Sequence, residues 1–328
     1  MNLNKLKGLN KSMHLKFNQE NKANRQGYGD ELVSLGKRNK NVWVCCADLT
    51  DSTKVNGFAK SFPKRFVEIG VAEQNLVTVG AGLAAVGKIP FVSSYAAFCP
   101  GRCWEQIRTT ICYNNSNVKI IGAHAGVSVG PDGATHQALE ELATMRSLPN
   151  MIVINPSDYN QTKKATSAIA KFKGPAYMRF GRTNTPQFTT NKTPFKIGKA
   201  NVLKHGTQVA LVSTGALTYE ALRAAKILQD QGINAMVIDN PSIKPLDEST
   251  ILKAAKKCKF IVTIEEAQTT GGLGGAISEF LSEVHPTKIL RIGMNDQYGE
   301  SGDPQELLKH FGFTGENIAK EAKVFCRK

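Results

Sequence analysis

The sequence predicts an α/β protein built as two doubly wound domains, and three observations predict it. Short runs rich in Val, Ile and Phe alternate with longer helix-spaced patterns along most of the chain. These runs are continuously apolar, as strands of a parallel sheet covered on both faces must be. A polar stretch at 183–194, with Thr, Asn, Gln and two prolines, interrupts the alternation before it resumes. A length of 328 residues accommodates about two domains of ordinary size.

The first alternation places strands at 42–47, 66–69, 89–93, 118–123, 151–154 and 176–180. Helical patterns at 73–86, 102–112, 137–146 and 159–172 lie between them. The second alternation has strands at 208–213, 235–238, 260–264 and 289–292, with helices at 219–231 and 248–257. The expected organisation is an arm at 1–24, a domain at 25–182, a linker at 183–194 and a smaller domain at 195–328. Thr269–Gly275, a Thr-Thr-Gly-Gly-Leu-Gly-Gly turn into a helix, fits neither the dinucleotide nor the P-loop spacing. Close helix–sheet packing is the reading it supports.

Composition narrows the function classes. No 18-residue apolar run is present to span a membrane. The Lys- and Asn-rich residues 1–24 lack a signal or transit pattern and read as a solvated arm or short docking segment. Seven cysteines without metal-ligand spacing read as reduced thiols of a cytoplasmic protein, and no metal site is expected in this chain. The net charge of +15 is spread over lysines that are not interleaved with aromatics, so a solvated surface is expected, with no nucleic acid as partner. Steering of anionic substrates or of an acidic partner protein is the other use for such charge.

Several strings carry chemistry. Val71-Ala72-Glu73-Gln74-Asn75-Leu76 puts a carboxylate in the first turn of a small-residue helix. Alone, that carboxylate is either a complement to the helix dipole or a pocket wall. The strand from Ile89 ends on Tyr95, with Phe98 three residues on, followed by the Gly101-Arg102-Cys103-Trp104 helix start. Such aromatics pack a core or stack on a flat ligand. His124, at a strand end, and the loop Gly130-Pro131-Asp132-Gly133-Ala134-Thr135-His136-Gln137 lie where α/β sheets bind ligands. Arg25, Ser52 and Arg182 sit at other element ends.

Taken in order, these strings resemble the transketolase family, and the resemblance runs from about Arg25 to Phe325, including Asp239–Leu246 and Arg291–Gly302. It identifies the chain as the C-terminal subunit of a split, two-chain transketolase. The implied cofactor is thiamine diphosphate. By resemblance Glu73 would engage the aminopyrimidine and assist its activation, while Tyr95 and Phe98 would stack beside it. Asp48 would lie by the cofactor at the boundary between the two chains, and Val92 stands where the family often has another aromatic. Asp132 and His136 would contact sugar hydroxyls, His136 also moving protons, and His124 would hold the sugar chain. Arg25, Ser52 and Arg182 would grip the terminal phosphate of sugar phosphates.

The family's diphosphate half carries a Gly-Asp-Gly motif that does not occur in this sequence. The resemblance therefore implies a separate N-terminal subunit holding the diphosphate and its Mg2+ or Ca2+, in a heterotetramer or around a homodimer core. The implied reaction is transfer of a two-carbon ketol unit from ketose phosphates to aldose phosphates. A deoxyxylulose-phosphate synthase fragment and the beta-type subunit of a 2-oxoacid dehydrogenase remain the alternatives.

Overall fold

A computed structural model describes residues 1–17 and 20–327. Among these residues the strands are β1 (Lys22–Ala23), β2 (Val42–Cys46), β3 (Phe66–Glu68), β4 (Ile89–Tyr95), β5 (Lys119–Ala123), β6 (Ile152–Ile154) and β7 (Ala176–Arg179). They continue with β8 (Asn184–Thr185), β9 (Asn201–Lys204), β10 (Val209–Ser213), β11 (Ala235–Asp239), β12 (Ser242–Lys244), β13 (Phe260–Gln268) and β14 (Lys288–Met294). The helices are α1 (Asn24–Arg38), α2 (Asn56–Ser61), α3 (Glu73–Ala85), α4 (Trp104–Gln106), α5 (Glu141–Ser147) and α6 (Tyr159–Lys171). In the second half they are α7 (Leu217–Asp230), α8 (Glu248–Lys257), α9 (Leu273–Val284), α10 (Pro304–His310) and α11 (Gly315–Phe325).

Two sheets organise the chain, one ordered β12-β6-β7-β5-β4-β2-β3 and the other β14-β13-β10-β11-β9. Each is parallel except at one edge, where β12 and β9 run antiparallel to their neighbours. The central strands are buried along their whole length, which explains their unbroken apolar runs. One core layer lies beneath α3 and α5, with Leu76, Val77, Val92, Ile120 and Met145. A second lies beneath α1 and α6 on the opposite face, with Tyr28, Leu32, Val44, Ile121 and Met178.

The domains are more entangled than the sequence reading expects. Strand β12 follows the second domain's β11 yet pairs with β6 of the first sheet. Asp239, fully buried at the end of β11, accepts hydrogen bonds from Ser157 and Gln161 of the first domain. The stretch 183–194 is a packed connection rather than a free linker. Phe188 is fully buried, and Asp158 accepts the backbone N–H groups of Phe188 and Thr189 at 3.0 and 2.7 Å.

The solvated-arm reading of the N-terminus is corrected in the same way. Leu3, Leu6 and Phe17 are buried in the second domain's core beside Leu203, Leu217 and Phe188. Asn10 donates through its backbone N–H to Leu203 and through its side-chain amide to Val202. β1 pairs with β8. The lysines of the segment are exposed, while its sparse apolar positions strap it down. Phe17→Ala is expected to cost about 2–3 kcal/mol of stability, read as a lower denaturant midpoint; an unchanged midpoint would show that the strap does not hold the domain.

The glycine turn at 269–275 packs closely, as its spacing suggests. Glu265 accepts the N–H groups of Leu273 and Gly274 at 2.7 and 2.8 Å, so an internal carboxylate fills the start of α9. A methyl group at Gly272 would stand 2.0 Å from that carboxylate.

Candidate active site

The site forms at the carboxyl edge of the first sheet, where five adjacent strands, β7-β5-β4-β2-β3, deliver one loop each. β2 leads to Asp48 and Ser52, β3 to Glu73, β4 to Tyr95 and Phe98, β5 to His124, and β7 to Arg182. A parallel sheet gathers these sequence-distant residues because all its strands end on the same side. Two non-glycine residues just past strand ends, Asp48 and His124, hold φ at 55°, and Lys54 holds it at 65°. Such backbone is uncommon and concentrates at ligand sites.

Glu73 opens α3 after a left-handed turn at Gly70, and its side chain is only 3% exposed. Both its oxygens accept from the same Arg102 nitrogen, at 3.3 and 3.2 Å. The Arg102 guanidinium lies 4.1 Å from the centroid of the Phe98 ring. Arg102 is reached through a tight turn that includes a cis Cys99–Pro100 peptide.

An aromatic wall adjoins this carboxylate. Tyr95 stacks on His124 with centroids 3.9 Å apart and lies 5.9 Å from Phe98. His136 meets Phe98 edge-on at 5.2 Å and Tyr95 at 6.2 Å. Thus Tyr95, Phe98, His124 and His136 form one ring cluster, which Arg102 joins to Glu73. Burial, reinforced by the cations of Arg25, Arg182 and Lys54, pushes the pKa of His124 down to about 3. His124 is therefore neutral near pH 7.

The cations beyond the wall converge. Arg25, at the start of α1, donates to the Ser52 carbonyl at 2.9 Å. Burial and the nearby Arg182 guanidinium lower its pKa from the usual arginine value. Arg182 donates to the Val129 carbonyl at 2.8 Å. Among the described residues neither arginine is paired with a carboxylate. Arg25 Nε, His124 Nδ1 and Ser94 Oγ are buried without a hydrogen-bond partner. Unsatisfied buried polar atoms beside unpaired cations suit an anionic, hydroxyl-bearing ligand.

The second domain braces the sugar-binding candidate loop. Glu266, at the end of β13, accepts the Ser128 N–H at 2.6 Å, and Arg182 holds Val129 from the other side. Gln137 donates to the carbonyls of Val127 and Glu300 at 3.1 and 2.9 Å. Methyl groups at Gly126, Gly130 and Gly133 would strike Glu266, Pro304 and Ser301, so the loop has no slack. His136 thereby reaches the wall, while Asp132 stays exposed at the tip of the loop.

Two expected residues lie apart from the cluster. Val92 is fully buried in the core against α3, where a methyl group at Gly80 would stand 2.6 Å from it. Asp48 is exposed, its N–H donating to Glu68 at 2.7 Å. Arg102, Ser94, Lys54 and Glu266 belong to the site's surroundings without having been singled out. A basic residue in the turn that follows Phe98 was the one signal for Arg102; the other three carry no local pattern.

Comparison with known proteins identifies both domains. Residues 20–187 match the transketolase pyrimidine binding domain, and 198–318 match the transketolase C-terminal domain. The chain is 38% identical over 307 residues to an apulose-4-phosphate transketolase subunit of Phocaeicola vulgatus, covering 93% of this chain and 98% of that one. It is 36% identical to Homo sapiens transketolase, across 93% of this chain but 49% of that one. A solved split gene transketolase, described as an inactive beta4 tetramer, superposes with a TM-score of 0.87 at 44% identity, covering 93% of this chain and 98% of that one. With both domain models matched over most of its length and a relative 38% identical across 93% of it, this chain belongs to the transketolase family.

Proposed function

We propose that this chain supplies the pyrimidine half of a thiamine diphosphate site in a two-chain transketolase that moves a two-carbon ketol unit between sugar phosphates. The observation that carries the reading is the buried Glu73 carboxylate, joined through Arg102 to the Phe98 and Tyr95 rings. A flat ring bearing N–H donors fits an acceptor and aromatic faces so arranged. When bound, thiamine diphosphate supplies the carbanion chemistry, and Glu73 holds the aminopyrimidine in the form that chemistry needs. The aromatic wall and the braced loop exclude water around it.

His136 and Asp132 orient sugar hydroxyls, and neutral His124 hydrogen-bonds the sugar chain. Arg25, Ser52 and Arg182 take the terminal phosphate. That cationic end favours sugar phosphates over 2-oxoacids, which have no phosphate to hold. The name of the Phocaeicola vulgatus relative, which specifies apulose 4-phosphate, supports the same class of substrate. Mg2+ or Ca2+ and the diphosphate belong to an N-terminal subunit, in a heterotetramer with two sites. The solved tetramer described as inactive supports the expectation that isolated chains of this kind associate and lack turnover. A cytoplasmic setting suits sugar phosphates, and no helix of the described residues is long and apolar enough to cross a membrane.

The test is reconstitution. Ketol transfer from xylulose 5-phosphate to ribose 5-phosphate should appear only when the N-terminal subunit is added, and full turnover by this chain alone would refute the reading. In the active complex, Arg25→Met should raise KM for the phosphorylated donor by at least about tenfold. KM for xylulose, which lacks the phosphate, should stay nearly unchanged. An equal effect on both donors would remove Arg25 from the phosphate grip.

A further inference from the structure

Glu73 and Phe98 are the surfaces that an aminopyrimidine needs, yet in this structure both are engaged by Arg102. One guanidinium nitrogen lies 3.3 and 3.2 Å from the two carboxylate oxygens, and the guanidinium carbon is 4.1 Å from the Phe98 centroid. The resemblance between the two groups is chemical. A guanidinium is a flat N–C–N unit that donates N–H bonds in its plane and stacks through its face. The amidine edge of an aminopyrimidine offers the same plane and donors.

Resting on the role of Glu73 proposed above, we propose that Arg102 is an internal stand-in for the aminopyrimidine, occupying Glu73 and Phe98 until the cofactor displaces it. The guanidinium satisfies a carboxylate that is only 3% exposed and would otherwise be buried without a counter-charge. Its own side chain is half exposed, so water competes for it and the latch is weak enough to open. Next to it, Gly101 is exposed, and a methyl group there would find no atom within 4 Å. Arg102 is thus a positioning residue: it pairs the carboxylate and covers the Phe98 face, and it takes a share of the cofactor's apparent affinity.

The first arm of the test uses the unliganded chain. The Arg102 side-chain 15N resonances should show restricted rotation, and Glu73→Gln should release them; resonances already free in the unaltered chain would overturn the latch. The second arm measures calorimetric binding of thiamine diphosphate with Mg2+ by the chain assembled with its N-terminal subunit. Arg102→Met should tighten the apparent Kd about fivefold, because a competitor is gone, and Arg102→Lys, which keeps charge without the plane, should fall between. Weaker or unchanged binding by Arg102→Met, with the unaltered complex binding well, would overturn this inference and leave the proposed function standing. No binding by the unaltered complex would overturn both.

Discussion

Glu73→Gln is expected to lower turnover of the assembled enzyme by about 10²- to 10⁴-fold, the usual contribution of a positioned proton-handling group. The amide keeps the shape and an acceptor oxygen but loses the charge and the proton affinity. Glu73 begins α3 and touches only Arg102 through its carboxylate among the described contacts. Because that arginine is half exposed, the substitution should change stability by less than about 1 kcal/mol. Loss of kcat at an unchanged melting temperature therefore separates a chemical role from a structural one. Turnover retained within tenfold would show that another group activates the cofactor.

The largest effect on stability is expected at Arg179. This arginine and Glu141 form an ion pair at 3.1 Å, each 3% exposed, and Arg179 also donates to the Glu266 carbonyl of the second domain at 2.7 Å. The pair ties α5 and β7 to the strand end that braces the candidate sugar loop. Arg179→Met would leave a buried carboxylate without its counter-charge, which costs about 3–5 kcal/mol. Burial already pushes the Glu141 carboxyl up to about 7 against the pull of Arg179. A carboxyl whose folded value lies above its unfolded value binds its proton preferentially in the folded state, so its contribution favours folding at low pH and is lost as pH rises from about 4.5 towards 7. The variant's deficit should accordingly be greatest at pH 8 and smaller at pH 5, where Glu141 can take up a proton. Denaturant midpoints at those two values check it, and an equal deficit at both would contradict the assignment.

Much of this architecture is legible in the sequence because the signals are local. Continuous apolar runs mark the buried parallel strands, and β2, β5 and β10 lie within a residue or so of their expected places. The strings around Glu73, Tyr95 and His124 are legible as a set because the family keeps their order. What escapes the reading is decided by distant partners. β12 is three residues whose pairing with β6 no local pattern announces. The N-terminal strap has too few apolar residues to stand out among its lysines, though Leu3, Leu6 and Phe17 suffice to bury it. The expected helix from 137 begins only at Glu141, because Gln137 is drawn into the loop by the carbonyls of Val127 and Glu300. Arg102 acquires its meaning only when the turn after Phe98 folds it back onto Glu73.

The central claim is that this chain holds half of a cofactor site. It is tested most directly by calorimetric titration of thiamine diphosphate and Mg2+ into the chain, alone and mixed with an N-terminal subunit that has the Gly-Asp-Gly motif. Binding to the mixture and at most feeble binding to the isolated chain are expected. Tight binding to the isolated chain would mean that it holds a diphosphate site of its own, and the division of labour between two chains would be contradicted.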